Sequence, residues 1–178
     1  MRGSKTFKAV GPVSWKPDGK LGPAPVMTPG GTFEIGDVGD FEKDHAFSYG
    51  AWVRAGRAGV FGGILARMDE KADYRGWDLW QNDTKLSVHL VSRWPADALK
   101  VTTTKAELKP GVWQHVFVTY DGKGLAGGVK IFVDGVEAPV RARNQRSQGK
   151  YPDQHADPDR AAQRHPSVHR RGCRMSGL

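Results

Sequence analysis

The sequence predicts an all-β protein, a two-sheet antiparallel jelly-roll sandwich, on the strength of three observations. Short apolar runs recur from about residue 24 to residue 140, separated by Gly, Pro, Asn and Asp, which is the spacing typical of a sandwich or barrel. No segment sustains the i, i+3, i+4, i+7 spacing of an amphipathic helix. The stretch Val112–Gly135 holds two strand-like runs joined by a Gly-rich linker, and Asp134-Gly135 favours a tight hairpin directly after them.

The predicted strands are short and rich in β-branched or aromatic residues, which suit a pleated, half-buried surface. Pro110-Gly111 closes the loop that separates the seventh strand from the eighth. The predicted strands, in chain order, are Ala24–Met27, Thr32–Ile35, Phe47–Ala55, Gly62–Arg67, Gly76–Gln81, Lys85–Val91, Leu99–Thr103, Val112–Tyr120, Val129–Val133 and Val136–Arg141.

Alternation predicts the register of one hairpin. A two-residue turn at Asp83-Thr84 pairs apolar with apolar residues on one face, and a one-residue slip would oppose apolar to polar side chains. The predicted core-facing pairs are Trp77 with Leu90 and Leu79 with Val88, and the outward pairs are Asp78 with His89 and Trp80 with Ser87.

The strand Phe47–Ala55 carries aromatic side chains on both faces, Phe47 and Tyr49 on one and Trp52 on the other. A strand of this kind is typical of a central position, where both faces are at least partly covered. We therefore expect this strand to lie inside its sheet.

Trp113–Gly122 (WQHVFVTYDG) followed by Gly128–Gly135 (GVKIFVDG) resembles the signature of the laminin G-like, concanavalin A-like domains. Phe47–Ala55, Gly62–Glu70 and Gly76–Ser92 are similar to the preceding strands of that family, and Thr32–Asp44 to its opening strand and loop. The resemblance covers roughly residues 10–140 and points to the form appended to large exported proteins of planctomycete-type bacteria. It implies a non-catalytic binding or adhesion module with a glycan or protein ligand, and an extracytoplasmic location.

The outward side chains of the predicted hairpin are the candidate ligand contacts: Asp78, Trp80, Ser87 and His89, joined by Arg67 and also by Arg93. Sugars are commonly held by an aromatic plate beside a few hydrogen-bonding groups, which this set would supply. The alternative is that the loop Ser92–Pro95 covers Trp80.

The resemblance also raises the question of calcium, because laminin G-like domains sometimes bind Ca²⁺ through loop oxygens. Asp37, Asp40 and Asp44 lie in one loop, with Glu42 between them, and carboxylates are the hard ligands that Ca²⁺ prefers. The alternative is a turn-rich acidic loop without a metal. No other cofactor is predicted.

A glucanase of this fold would need the strand motif Glu-x-Asp-x-x-Glu, with its carboxylates on one face. The nearest stretch, Asp69–Asp73, lacks that spacing and is predicted to be a turn. We therefore expect a protein that is not an enzyme. The alternative function is a purely structural spacer or interaction domain without a ligand site, and a glycoside-active enzyme is the remote alternative.

Charge divides the chain at about residue 140. Residues 1–140 hold 18 Lys and Arg against 16 Asp and Glu, whereas residues 141–178 hold 9 against 3, so the net charge of the two parts is +2 and +6. The predicted organisation is a flexible N-terminus at 1–9, a sandwich domain at 10–140 and a basic, disordered tail at 141–178. Nucleic-acid binding is not expected, because no reading element accompanies the charge, and no signal peptide or membrane span is evident.

The tail departs from the family pattern, which continues with closing strands. Codon degeneracy allows a one-base shift of the reading frame to turn Lys150–Arg160 into Ser-Ile-Arg-Thr-Ser-Thr-Pro-Thr-Arg-Ile-Gly, a family-like piece. Two interpretations stay open, a frameshifted or truncated end and a genuine disordered tail. The first predicts missing C-terminal strands, an open sheet edge and marginal stability.

Overall fold

The computed structural model describes residues 7–144 and 174–176, and the regular secondary structure of this part of the chain consists mainly of antiparallel strands. A single turn of 3₁₀ helix, Ala126–Gly128, interrupts them. The strands are β1 (Lys8–Val10), β2 (Val13–Lys16), β3 (Ala24–Met27), β4 (Thr32–Glu34), β5 (Phe47–Arg54), β6 (Phe61–Asp69), β7 (Arg75–Asn82), β8 (Lys85–Arg93), β9 (Asp97–Thr103), β10 (Trp113–Tyr120), β11 (Val129–Val133), β12 (Val136–Glu137), β13 (Val140–Asn144) and β14 (Arg174–Ser176).

Two larger sheets form the sandwich, and the predicted all-β fold is confirmed. The first sheet has eight strands in the order β1-β4-β14-β6-β7-β8-β9-β13, and the second has four in the order β12-β11-β10-β5. Strands β2 and β3 pair with each other in a separate two-stranded sheet. The edge-to-face contact of Trp15 with Phe33, with ring centroids 5.5 Å apart, joins this small sheet to β4.

The core lies between the eight-stranded and four-stranded sheets. Alternate residues of the interior strands point into it, as the period of two in a β-strand requires. Burying a side chain such as Leu79 or Ile131, both fully inaccessible, contributes roughly 1.5–3 kcal/mol. The most deeply buried apolar members are Leu79, Leu86, Val88, Leu99, Val101, Val116, Val118, Val129 and Ile131.

The predicted register of the β7–β8 hairpin is confirmed. Trp77 lies opposite Leu90, and Leu79 lies opposite Val88 on the core face. The turn consists of Asp83 and Thr84, and Asp83 adopts a φ of 59°, in the left-handed region that Asp tolerates better than most residues.

The predicted central position of Phe47–Ala55 is wrong within the described part of the chain. Strand β5 pairs with β10 along all eight of its residues and forms one end of the four-stranded sheet. Its two aromatic faces are covered differently: Tyr49 packs against the core cluster, and the Lys20 ammonium lies 4.6 Å from the ring centroid of Trp52. Side chains from other elements can therefore cover both faces of a strand even when only one of its edges pairs with another strand.

The ends of the sandwich differ from the predicted boundaries. Strands β1 and β2 were not predicted, and β1 pairs with β4 although residues 1–9 were expected to be flexible. The predicted strand Val136–Arg141 is divided at Ala138-Pro139, because β12 remains with β11 whereas β13 pairs with β9 in the other sheet. Strand β13 reaches Asn144, and β14 lies between β4 and β6, so both enter the predicted tail. The remaining tail residues, including the frame-shifted segment, lie outside the described residues.

Candidate functional site

The outer face is the surface of β7, β8, β9 and β13 that points away from the four-stranded sheet. Strand pairing arranges its side chains in two rows that run across the strands. The first row is Asp78, His89 and Lys100, and the second is Trp80, Ser87, Thr102 and Arg141.

Asp78 and His89 form a hydrogen-bonded pair in the first row. Oδ1 of Asp78 accepts the backbone N–H of His89 at 3.0 Å and lies 2.8 Å from its Nδ1. Their side chains are only 8% and 13% exposed, so the contact is shielded from water. When Nδ1 donates, the Nε2 atom of the neutral imidazole remains an acceptor for another group.

Two further contacts hold this pair in place. The hydroxyl of Tyr49 donates to the backbone carbonyl of Asp78 at 2.8 Å, which ties β7 to the opposite sheet. The ring of Trp94 meets the ring of His89 edge to face, with centroids 6.1 Å apart and an interplanar angle of 81°. The loop Ser92–Pro95 therefore contacts His89 through Trp94.

Trp80 remains 37% exposed on the outer face. Next to it, the hydroxyls of Ser87 and Thr102 are 2.9 Å apart and share a hydrogen bond. Ser87 is only 1% exposed, whereas Thr102 is half-buried, so the indole lies near one reachable hydroxyl that both donates and accepts hydrogen bonds.

Cations occupy the β9–β13 side of the outer face. Lys100 is half-buried and Arg141 is exposed, and Arg143 is exposed at a bulge of β13. None of the three has an ion-pair partner among the described residues. The sequence-based search missed these residues and Thr102, although the same alternation rule applied to Leu99–Thr103 would have placed Lys100 and Thr102 outward.

The prediction that Arg67 joins the outward set is wrong. Strand β6 has a bulge between Gly63, which faces Trp80, and Leu65, which faces Leu79. The extra residue, Ile64, shifts the alternation by one position and places Arg67 opposite Trp77 on the inward side. Arg93 is exposed at the end of β8, opposite Asp97 and beyond a second bulge.

Arg67 instead binds the loop for which calcium was predicted. Its Nη1 donates to Oδ1 of Asp37 and, at 3.3 Å, to the carbonyl of Val38, and its Nη2 lies 3.1 Å from Oδ1 of Asp40. Asp44 does not join them and lies 3.9 Å from Nε2 of His45. The described residues include no cluster of three or more His, Cys, Asp or Glu side chains suited to a metal.

A cavity of about 60 Å³ lies beside this loop, at one end of the sandwich. Trp77 closes part of it and donates from Nε1 to the carbonyl of Gly39 at 2.8 Å. An engineered cavity of about 150 Å³ binds benzene, so this smaller cavity has no room for a sugar ring. The outer face, rather than this cavity, is therefore the candidate glycan site.

The acidic stretch Asp69–Asp73 joins β6 to β7. Asp69 ends β6, and its Oδ1 accepts the backbone N–H of Lys71 at 3.1 Å. The predicted turn is confirmed, since Glu70–Asp73 lie between the two strands.

Comparison with known proteins identifies one family. A family model described as the concanavalin A-like lectin/glucanases superfamily matches residues 28–158. A search among curated proteins found no match. In the described part of the chain, no helix has the length and hydropathy that a membrane span requires.

Proposed function

The chain belongs to the concanavalin A-like lectin/glucanase superfamily, and from this membership we propose that it is a non-catalytic module that binds a glycan on its outer face. The family suggests a carbohydrate- or protein-binding module, and it also includes glycosidases. The observation that carries the glycan proposal is the accessible indole of Trp80 near the half-buried hydroxyl of Thr102, which the buried Ser87 holds through a hydrogen bond.

This arrangement suits a sugar chemically. The C–H face of a pyranose can pack on the exposed indole of Trp80, while its hydroxyl groups exchange hydrogen bonds with the half-buried hydroxyl of Thr102 and with Nε2 of His89. The β-strands hold these groups in fixed positions, which limits the entropy lost on binding.

The carboxylates support a non-catalytic role. Glycosidases of the usual kind place two carboxyl groups on either side of the scissile bond, about 5–5.5 Å apart when retaining and 6.5–9.5 Å apart when inverting. The two rows of the outer face contain a single carboxylate, Asp78, and His89 engages it. Binding without hydrolysis is the activity that these rows favour.

A second candidate, a protein-interaction module, is favoured by the outward surface of the four-stranded sheet. There the ring of His115 lies 5.2 Å from that of Trp52 and 5.9 Å from that of Phe117. Trp52 is 36% exposed, so part of this aromatic group is open to a partner. The laminin G-like resemblance supports placing either module outside the cytoplasm, as part of a larger exported protein.

The test is a glycan array probed with the full chain, followed by affinity measurements on the best binder. We expect Trp80→Ala to weaken binding at least about tenfold, a loss of about 1.4 kcal/mol. Trp52→Ala is the matched control, since it removes an equally exposed indole from the other sheet.

Circular dichroism spectra would verify that both variants fold. Equal losses in the two variants, or an unchanged affinity in Trp80→Ala, would contradict the outer-face site. A wild-type chain that binds no glycan would favour the protein-interaction module instead.

A further inference from the structure

We propose that the ligand of the outer face is an acidic polysaccharide, one whose sugar units carry carboxylate or sulfate groups. This inference rests on the proposed glycan-binding function and adds the chemical class of the ligand. It follows from the charges that the fold places beside Trp80.

The first step is the separation of charge across the outer face. Asp78 lies on β7, and its carboxylate is engaged by His89 on β8. Lys100 and Arg141 follow on β9 and β13, without an ion-pair partner in the described part of the chain. With His89 neutral, the formal charges of the two rows sum to +1 (Asp78 −1, Lys100 and Arg141 +1 each), and both cations lie on the β9–β13 side.

The distance between Trp80 and Arg141 is the second feature that supports an acidic ligand. Neighbouring strands lie about 4.8 Å apart, so the row from Trp80 to Arg141 spans about 14 Å across four strands. A glycan that stacks one sugar on Trp80 and continues along this row brings its later units to the cations. An anionic group on such a unit would meet Arg141, whose planar guanidinium can bind a carboxylate or sulfate through two hydrogen bonds.

The third step concerns other polyanions. Proteins that bind single-stranded nucleic acid through a groove usually stack successive bases on several aromatic side chains. The two rows offer one indole, that of Trp80, near the half-buried hydroxyl of Thr102, and the exposed Trp94 beside them packs edge to face on His89, so the rows hold no series of stacked aromatic plates. This combination favours a hydroxyl-rich chain with spaced charges over a phosphate backbone.

The experiment compares polymers that share a backbone and differ in charge. Polygalacturonate is measured against its fully methyl-esterified form, and dextran sulfate against dextran, with single-stranded DNA as a third polyanion. We expect each charged polymer to bind at least about tenfold more tightly than its neutral counterpart at low salt. Because Arg141 is exposed, this advantage should fall as ionic strength rises.

Variants then test which cations are responsible. Lys100→Gln combined with Arg141→Gln should remove most of the preference for the charged polymer. Arg57→Gln combined with Lys109→Gln is the matched control, since it lowers the net charge equally at two exposed loop residues. The two single variants, Lys100→Gln and Arg141→Gln, are measured as well, so that a folding defect in the half-buried lysine does not decide the result.

Each outcome has one meaning. Equal affinity for charged and neutral polymers, with a loss in Trp80→Ala, would overturn the acidic ligand and leave the glycan site intact. No binding to any polysaccharide would overturn both proposals. Equal binding of DNA, or equal losses in the control pair, would show unspecific attraction of polyanions and would also overturn the inference.

Discussion

Tyr120 shows how one side chain can join distant parts of this chain. Its hydroxyl donates to the carbonyl of Lys43 at 2.8 Å and accepts the backbone N–H of Gly124 at 2.7 Å. Burial raises the pKa of the Tyr120 phenol above its usual value of 10.0, and the hydrogen bond from Gly124 opposes that rise only in part. The nearby charges of Asp121 and Asp44 act in the same direction as burial.

The shifted pKa makes the contribution of Tyr120 dependent on pH. A group whose pKa is raised on folding stabilises the protein fully below its unfolded pKa, here about 10, and this contribution is lost as pH rises through the folded pKa. We expect Tyr120→Phe to lower the free energy of unfolding by about 1 kcal/mol at pH 7. The difference between wild type and variant should shrink above pH 10.

Urea denaturation of both proteins at pH 7, 9 and 10.5 would measure this effect. A difference that stays constant across the series would contradict the raised pKa of Tyr120.

Arg67 is a second example at the scale of the residue, because its contacts with the acidic loop could not be predicted from the sequence. Its guanidinium meets Asp37, a residue 30 positions away in the sequence, and the Asp40 carboxylate. When the acidic loop is considered alone, its three aspartates predict a metal site. A cation from another strand binds two of its three aspartates, and alternation within β6 could not reveal this contact.

At the scale of the elements, Gly76 determines how closely β6 and β7 can pair. Gly76 has a φ of 137°, and a Cβ at this position would collide with the backbone carbonyl of Arg67 on the paired strand. Gly76 therefore allows β6 and β7 to approach each other beside the loop that Arg67 holds.

We expect Gly76→Ala to lower the free energy of unfolding by at least about 3 kcal/mol, because it combines a strained backbone with a clash between two main chains. Gly127→Ala is the control, since a Cβ there meets no atom within 4 Å. Its effect should stay within about 0.5 kcal/mol. Urea midpoints of both variants measure the comparison, and equal midpoints would contradict the role of Gly76.

The whole molecule is a sandwich of unequal sheets, and its strands differ in how well they are buried. Strand β8 lies between β7 and β9 and is mostly buried, whereas the residues of β1 and β12 are all exposed. Local opening should therefore cost least at β1 and β12 and most in the interior strands.

Native-state hydrogen exchange would test this ranking. We expect the amides of β8 and β10 to exchange slowest and those of β1 and β12 to exchange first, because the former pair on both sides and line the core. Uniform exchange across all four strands would instead indicate global opening, as the predicted marginal stability of a sandwich without its closing strands would allow.

Much of the fold could be predicted from local pattern. The β7–β8 register follows from Leu79, Val88 and their neighbours, because partners in a hairpin are close in sequence and alternate with a period of two. The outward position of Asp78, Trp80, Ser87 and His89 was predictable for the same reason. The strands β1 and β2 were missed, since neither presents a clear alternation of buried and exposed side chains.

The sequence by itself determined the fold class, most of the strands and the outward face of one hairpin, since these depend on residues within about a dozen positions of each other. Only the tertiary structure decided that a bulge at Ile64 turns Arg67 inward, and that β13 returns to β9 and brings Arg141 beside Thr102. Such contacts depend on strand order and on local breaks in alternation. For that reason the outward positions of Asp78, Trp80 and His89 could be predicted from the sequence, whereas the position of Arg141 on the same face followed only from the folded sheet.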